Sequence, residues 1–311
     1  MPRLSPSTMP MTNCLLLGPR RMAGAFARWE YGTAGWIRHI KGINFMRDIV
    51  TTRPAKRRTK PGASTPAGSQ FAATPEKMQP FLRALAQEME ARQRTVLGDP
   101  VTPRALLAAA GDAQRQFGRT WDHVQSLNVV PHACRPGCDH CCFLTVEASA
   151  PEVFLIAEHV RTALAPEQLA CLRGHLHRTA ERIQRLTPAE RVRADVPCAL
   201  LEDGRCAAYP VRPLACRAWN SRDAAACARM RREGGGDLRP VQDQRPLGID
   251  AGIQAGLTAA LRAAGLPEDA ERPCELNTAL CLALDEPQSL ERWAGGEDVL
   301  APARAAVDYE R

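Results

Sequence analysis

The sequence predicts a mainly α-helical protein whose helices pack around an irregular, cysteine-rich core with one short β-hairpin. Three observations lead to this prediction. Apolar residues recur at helical spacing through most of the chain. Strands and helices do not alternate, which argues against a Rossmann fold or a barrel. Most of the 12 cysteines fall in one stretch that contains few apolar residues.

Four segments follow from changes in composition along the chain. Residues 1–73 are basic at first and then rich in Pro, Gly, Ser and Thr, which predicts a disordered leader and linker. Residues 74–130 form a helical segment and residues 131–233 a cysteine-cluster domain. Residues 234–311 form a C-terminal helical segment.

Predicted helices begin where a capping residue or a proline precedes an apolar stripe. A hydroxyl before a proline marks two such starts, at Thr74 and Thr102. Ser149 marks a third, because Glu152 places an acid near the positive end of the helix dipole. Pro166 opens a fourth. Further helices are predicted at about 223–232, 249–264 and 275–284.

Residues 195–218 lack helical periodicity. Within them, the stretch 200–206 (LLEDGRC) predicts two short strands around a turn at Asp203 and Gly204. This region holds too few apolar residues to form a core of its own, so we expect another element to stabilise it.

The net charge of +7 belongs to the leader. Residues 1–60 contain twelve Lys or Arg and only two acids, whereas the remainder is mildly acidic. We therefore expect no nucleic-acid partner beyond non-specific contact between this basic leader and phosphates. No apolar run reaches the length of a membrane span, and no export signal fits, so we predict a cytoplasmic protein. Cytoplasmic thiols are kept reduced, which favours metal ligation over disulfides.

The cysteines have the spacing of metal ligands. Four lie within nine residues, and the turn-forming Pro136 and Gly137 stand between the first two. Short intervals let a tight turn aim two thiolates at one ion, about 2.3 Å from each sulfur. A second, proline-rich group follows, so we expect two loops to close on one centre and the metal to hold the irregular core together. The candidate ligands are Cys134, Cys138, Cys141, Cys142, Cys198, Cys206 and Cys216.

The kind of metal stays open at this stage. Zinc takes four ligands and an iron–sulfur cluster takes four cysteines, so seven or eight thiolates exceed either single site. Arg212 and Arg217 are candidates to offset the negative charge of such a centre. Tyr209 more often packs than binds, and we interpret His140 as a solvated loop residue.

The other cysteines have no such pattern. Cys171 and Cys281 lie on or beside apolar helix faces, which predicts packing. Cys14 and Cys274 have no cysteine partner nearby in sequence. Cys227 is either an eighth ligand or a helix residue.

These motifs resemble a known family. The Cys134–Cys142 cluster, followed by Pro197-Cys198, Gly204-Arg205-Cys206, Tyr209, Arg212-Pro213 and Cys216-Arg217, is similar to the YkgJ-like CxxCxxCC proteins, described as zinc- or iron-chelating domains. The stretch 275–297 also looks like the tails of the longer members. The first interval departs from the family name, with three residues instead of two. The resemblance implies that the seven candidate cysteines are metal ligands and brings no known reaction.

Three functions remain compatible with these observations. The first is a metal-binding protein with a structural or redox role. The second is an S-adenosylmethionine-dependent lysine N-methyltransferase, because flagellin N-methylases carry a similar cluster; against it, Gly234-Gly235-Gly236 lacks the strand-to-helix context of a nucleotide loop. The third is a metal-dependent chaperone or adaptor. The spacing of Cys134, Cys138 and Cys141 also matches the radical-SAM signature, but helices flank it here.

Overall fold

The computed structural model describes residues 75–234, 240–266 and 272–305, so the predicted leader and Thr74 lie outside it. The described chain is mainly helical, as predicted. None of its helices is both long and apolar enough to cross a membrane. The α-helices are α1 Pro75–Leu97, α2 Pro103–Leu127, α3 Ala150–Ala163, α4 Pro166–Gln184, α5 Pro188–Arg193, α6 Leu214–Ala218, α7 Ala224–Glu233, α8 Gln244–Ala263, α9 Leu276–Asp285, α10 Ser289–Ala294 and α11 Ala301–Ala305. Single turns of 3₁₀ helix span His140–Phe143 and Tyr209–Val211.

Two small antiparallel sheets complete the described secondary structure. β1 pairs with β4 and thereby joins the chain before α3 to the chain before α9. β2 and β3 form the predicted hairpin, and its turn residues Asp203 and Gly204 have φ of 48° and 71°, the left-handed pair that a type I′ turn requires. The strands are β1 Glu147–Ala148, β2 Leu201–Glu202, β3 Arg205–Cys206 and β4 Cys274–Glu275.

Three of the predicted helix starts are confirmed. At the start of α2 the Thr102 hydroxyl accepts a hydrogen bond from Ala105 N at 3.2 Å. At the start of α3 the Glu152 carboxylate accepts from Ser149 N at 3.0 Å, which makes half of a capping box. α4 begins at Pro166, as predicted. Local capping chemistry therefore sets these boundaries.

The helix predicted at 249–264 begins five residues earlier than expected. The Asp243 carboxylate caps it by accepting from Arg245 N at 3.0 Å. Pro246 follows within the first turn, where a residue without an N–H costs no intrahelical hydrogen bond. The acid, and not the first apolar residue of the stripe, marks the start.

One hydrophobic core connects nine of the described α-helices, all except α5 and α7. Phe154 of α3 and Trp293 of α10 meet in it with ring centroids 5.7 Å apart. The cysteine-rich region contributes buried side chains of its own, among them Leu200 and Leu214. The region therefore packs on the helical core. The core draws on all three segments that follow the leader, and their independence as folding units stays a prediction.

Helix α8 lies unusually close to α1. A Cβ atom at Gly256 would stand 2.5 Å from the Ala86 carbonyl oxygen and 2.9 Å from Glu90 N. Both neighbours are backbone atoms, so no side-chain rotation relieves the overlap. Glycine at this position therefore sets the distance between the two helices.

We expect Gly256→Ala to lower the free energy of unfolding by about 1–3 kcal/mol, because the added methyl forces the helices apart. Urea unfolding monitored by circular dichroism measures this. Gly118→Ala in α2 is the matched control, since a Cβ there meets nothing within 4 Å. The control should gain about 0.5–1 kcal/mol from alanine's higher helix preference. Equal effects of the two substitutions would contradict the close packing.

Candidate metal centre

The first cysteine loop, residues 134–142, is a tight turn followed by the 3₁₀ turn that begins at His140. Gly137 has φ of 84°, a left-handed conformation that glycine adopts without strain. Cys138 N donates to the Arg135 carbonyl oxygen at 3.0 Å and closes the turn. Cys142 N donates to the Asp139 carbonyl oxygen at 2.8 Å within the 3₁₀ turn. The turn predicted between the first two cysteines is therefore present.

The second cysteine loop, residues 198–216, lies directly against the first. Cys198 N donates to the Cys142 carbonyl oxygen at 2.8 Å. The hairpin that carries Cys206 also approaches the first loop, because a Cβ atom at Gly204 would lie 3.6 Å from the Gly137 carbonyl oxygen. Two segments that are distant in sequence thus meet through their backbones.

The thiols affect one another's ionisation across this contact, with Cys141 at the centre. A hydrogen bond with Cys142 and burial raise the pKa of Cys141 far above its ordinary value. Burial, followed by the charge of Cys141, raises the pKa of Cys216 to about 12. Burial also raises the pKa values of Cys206 and Cys134, and the charge of Cys141 adds to both shifts. The structure therefore gathers thiols from both loops in one region.

All seven candidate ligands are free thiols, and each is at least partly accessible to solvent. Burial raises the pKa of Cys198 well above its ordinary value, and the charge of Cys206 adds to that shift. The charge of Cys138 contributes to the raised pKa of Cys134. The structure thus brings the candidates together, while their role as metal ligands stays a prediction.

Cys227, whose role the sequence leaves open, lies beside the first loop. Burial raises its pKa, and the charges of Cys134, Cys138 and Cys141 raise it further. A hydrogen bond with the Ser221 side chain opposes this shift. An eighth thiol, on helix α7, therefore adjoins the seven candidates.

The two candidate arginines have different positions. The charge of Arg212 favours the thiolate forms in both loops, although burial outweighs it. Its guanidinium carbon lies 4.3 Å from the Tyr209 ring centroid, and its buried Nε has no hydrogen-bond partner among the described residues. Arg217 instead donates to the Pro210 carbonyl oxygen and to the Gln114 side chain. Arg212 is thus an electrostatic neighbour of the thiols, and Arg217 supports the loop backbone.

Arg231 of α7 packs against the first loop. Its guanidinium lies over the Phe143 ring, 3.2 Å from the centroid, and 3.7 Å from the Asp139 carboxylate. It also pairs with Asp195 at 2.8 Å. His140 is half-buried, with Nδ1 3.9 Å from Asp139, so it is less solvated than the sequence led us to expect.

The thiols are gathered without forming a tight tetrahedral site. A single zinc ion holds its sulfurs at about 2.3 Å, which places them about 3.8 Å apart. Within the described ranges, the only three metal-ligating side chains whose ligand atoms lie within 4.8 Å of one another are on α4 and α9, away from the cysteine loops in sequence. Among the described residues, no three loop sulfurs therefore form a ready-made site for one zinc ion.

Glu152 fixes the segment that carries Cys216. Its carboxylate is fully buried and accepts from Leu214 N at 2.7 Å and from the Gln254 amide at 2.9 Å, besides capping α3. Leu214 is the first residue of α6, which carries Cys216. A buried carboxylate with several donors is a strong constraint, because losing any partner leaves charge without compensation.

Glu275 fixes the beginning of the second loop. This fully buried carboxylate accepts from Arg191 Nη2 at 2.9 Å, Thr278 N at 2.7 Å and the Asn277 amide at 2.8 Å. The Asn277 oxygen in turn accepts from Ala199 N at 2.9 Å. The backbone next to the first cysteine of this loop is therefore tied to helix α9.

Asp243 connects the two flanks of the cysteine region. Its backbone exchanges two hydrogen bonds with the Asn220 side chain, at 2.7 and 2.9 Å. Its carboxylate pairs with Arg245 and lies 3.5 Å from His132 Nε2. The His132 ring stacks on Trp121 with centroids 5.5 Å apart. Burial opposes ionisation, yet the nearby His132 ring and the hydrogen bonds from Arg245 hold the pKa of Asp243 far below its ordinary value.

Cys171 and Cys281 lie against and within the hydrophobic core, as predicted, but Cys171 is disulfide-bonded and is not the reduced thiol that we expected. Cys274 is fully buried in the core. Cys14 lies outside the described residues. Cys281 is buried but also contacts the polar side chain of His177.

We expect Asn277→Ala to destabilise the protein by about 1–3 kcal/mol, because it leaves the buried Ala199 N–H without a partner. Hydrogen exchange should accelerate first in residues 198–206. Gln288→Ala is the control, since the Gln288 side chain makes no capping hydrogen bond. Unchanged exchange at 198–206 would show that α9 does not anchor the second loop.

Asp250 carries a partly buried carboxyl group on α8 near Glu152. Burial and the charge of Glu152 raise the pKa of Asp250 to about 7, and its buried Oδ1 has no partner among the described residues. The folded state therefore keeps a proton that the unfolded state releases near the ordinary value of 3.8. This contribution stabilises the fold fully below pH 3.8 and is lost as the pH rises to about 7.

Asp250→Asn should therefore be more stable than the unsubstituted protein at pH 8, by about 1 kcal/mol or more. The difference should shrink as the pH falls toward 5. Denaturation midpoints measured from pH 5 to pH 8 at fixed metal content give this difference. A variant that is less stable at pH 8 would mean that the Asp250 charge is compensated in the fold.

Comparison with protein-family models, with curated proteins and with solved structures finds no match to this chain. The chemistry of the site itself is therefore the evidence for a function.

Proposed function

We propose that the two cysteine loops together chelate zinc or an iron–sulfur cluster, with a structural or redox role in the cytoplasm. The observation that carries the proposal is the contact between the loops, in which Cys141 of the first is coupled to Cys206 and Cys216 of the second. The ligands we assign are Cys134, Cys138, Cys141, Cys142, Cys198, Cys206 and Cys216.

The electrostatics of the thiols support a metal. Burial and mutual repulsion disfavour several neighbouring thiolates, as the raised pKa values show. A multivalent cation reverses this balance, because it binds thiolates and releases their protons. Arg212 provides a single positive charge and a buried N–H that suits hydrogen bonding to sulfur. The donor set therefore fits a thiolate-bound metal centre.

The number of thiols favours a polynuclear centre within this proposal. Seven candidates exceed the four ligands of one zinc ion. Two metal ions, or the irons of a cluster, would share such a set. In either case the bound centre adds to stability, by about 10 kcal/mol for a structural zinc.

The methyltransferase and adaptor functions gain no support from the described residues. Gly234 ends helix α7 in the left-handed conformation, so the glycine run follows a helix instead of a strand. Binding of S-adenosylmethionine in a calorimetric titration would support the methyltransferase function. Co-purification of one stoichiometric partner would favour the adaptor.

Anaerobic purification followed by elemental analysis and visible spectroscopy tests the proposal. A brown protein that contains iron and acid-labile sulfide would establish a cluster, whereas a colourless protein that contains zinc would establish zinc. Protein that takes up neither metal after anaerobic reconstitution would overturn the proposal.

Cys138→Ala should lose the metal of the loops and should loosen residues 131–220, because the first loop then lacks a ligand. Metal content and hydrogen exchange report the two effects. Cys274→Ala is the matched control, since Cys274 is buried in the core and is not among the proposed ligands. Full metal content in the Cys138 variant would contradict its assignment.

A further inference from the structure

Helices α4 and α9 bring together a histidine, a cysteine and an aspartate that belong to neither cysteine loop. His177 lies on α4, whereas Cys281 and Asp285 are four residues apart on α9 and so share one face of that helix. Cys281 Sγ lies 3.3 Å from His177 Nδ1 and 3.7 Å from Asp285 Oδ2. His177 Nε2 lies 3.1 Å from each oxygen of the Asp285 carboxylate.

The 3.7 Å between Cys281 Sγ and Asp285 Oδ2, and the distance from each of these groups to its nearer His177 nitrogen, are close to ligand spacings around a tetrahedral metal ion, although one ion would bind only one of the two nitrogens. With sulfur at about 2.3 Å and nitrogen or oxygen at about 2.0–2.1 Å, adjacent ligand atoms are about 3.3–3.6 Å apart. The ligand atoms of the three side chains lie within 4.8 Å of one another. A small turn of the exposed His177 ring would point one nitrogen at a shared ion.

Arg173 orients the Asp285 carboxylate, and the three side chains leave room for a fourth ligand. Arg173 Nη2 donates to Asp285 Oδ1 at 2.9 Å, which leaves Oδ2 toward the cysteine. Such a neighbour fixes a ligating carboxylate in place. Glu181 stands one helical turn beyond His177, and its charge reaches the Cys281 thiol. A fourth ligand would come from water or, after leaving its 3.8 Å pair with Arg185, from Glu181.

A nucleophilic triad is the competing interpretation of the same contacts. It requires the sulfur to reach a substrate, but Cys281 is only 8% exposed. It also requires a thiolate, which the negative charges of Asp285 and Glu181 disfavour. A divalent cation answers both points, because it needs no room for a substrate at the sulfur and is attracted by the same negative charges.

We propose that His177, Cys281 and Asp285 form a second site, independent of the cysteine loops, that binds a zinc-class divalent cation. The mixture of nitrogen, sulfur and oxygen ligands suits this borderline class of metal. Three protein ligands leave the fourth position for Glu181 or a solvent molecule. The site joins α4 to α9, the helix that also anchors the second cysteine loop through Asn277.

Zinc(II) binding to the full-length chain tests this site. Equilibrium dialysis with elemental analysis should show that His177→Ala loses about one zinc equivalent per chain, and Asp285→Asn should lose the same equivalent. His175→Ala is the matched control, because His175 lies two residues away on the same helix and outside the cluster. Circular dichroism should show equal helix content, since His177 is half exposed.

Combination with the loop variant separates the two proposals. Cys138→Ala protein should still bind about one zinc equivalent, and adding His177→Ala should abolish it. Equal zinc content in His177→Ala and His175→Ala would overturn the second site and leave the loop centre standing. Loss of one zinc equivalent in His177→Ala, with neither zinc nor iron lost in Cys138→Ala, would support the second site and overturn the loop ligands.

Discussion

The contact between the two cysteine loops is the constraint on which the candidate site depends. Neither loop is regular enough to hold its own shape. The second loop buries Leu200 and Leu214 in the helical core. Buried polar anchors add directional contacts: Glu152 holds the chain at Leu214, and Asn277 holds it at Ala199. Buried hydrogen bonds are directional, so they set position more closely than apolar contact does. The thiols consequently meet at defined places on a helical scaffold.

This arrangement has an electrostatic consequence. Several thiols that share a poorly hydrated region resist ionisation, and one neighbouring arginine does not offset burial. Protonated thiols are stable in such a region, and a metal that enters must displace their protons. The scaffold holds the loops in contact while the sulfurs are still spread, so metal binding would draw them together without having to assemble the fold. The same reasoning applies on a smaller scale to the cluster of His177, Cys281 and Asp285.

Local signals in the sequence predicted much of the fold. The Thr102-Pro103 and Ser149–Glu152 helix starts, the apolar stripes and the Asp203-Gly204 hairpin all depend on neighbouring residues, and all are present. The start of α8 was misplaced because Asp243 was not recognised as its cap. The close approach of α8 to α1 was also missed. The role of Gly256 is visible only when the partner helix is known.

The meeting of the candidate cysteines was predicted from the sequence, but the residues that support them were not. Cysteine spacing is a property of the sequence, whereas the contact of Glu275 with Arg191 joins residues 84 apart. Cys281 was interpreted as a packing residue because it lies on an apolar stripe. Its partner His177 is 104 residues away, and only the four-residue spacing to Asp285 hinted at a pair of ligands. Sequence reasoning fails here because these interactions are tertiary.

X-ray absorption at the metal edge tests the convergence of the two loops most directly. It should be measured on metal-loaded His177→Ala protein, so that the second site does not contribute. We expect a first shell of sulfur at about 2.3 Å, and fewer sulfurs when either Cys138 or Cys216 is replaced by serine. A shell of nitrogen and oxygen, or a sulfur count that responds to only one loop, would contradict a centre shared between them.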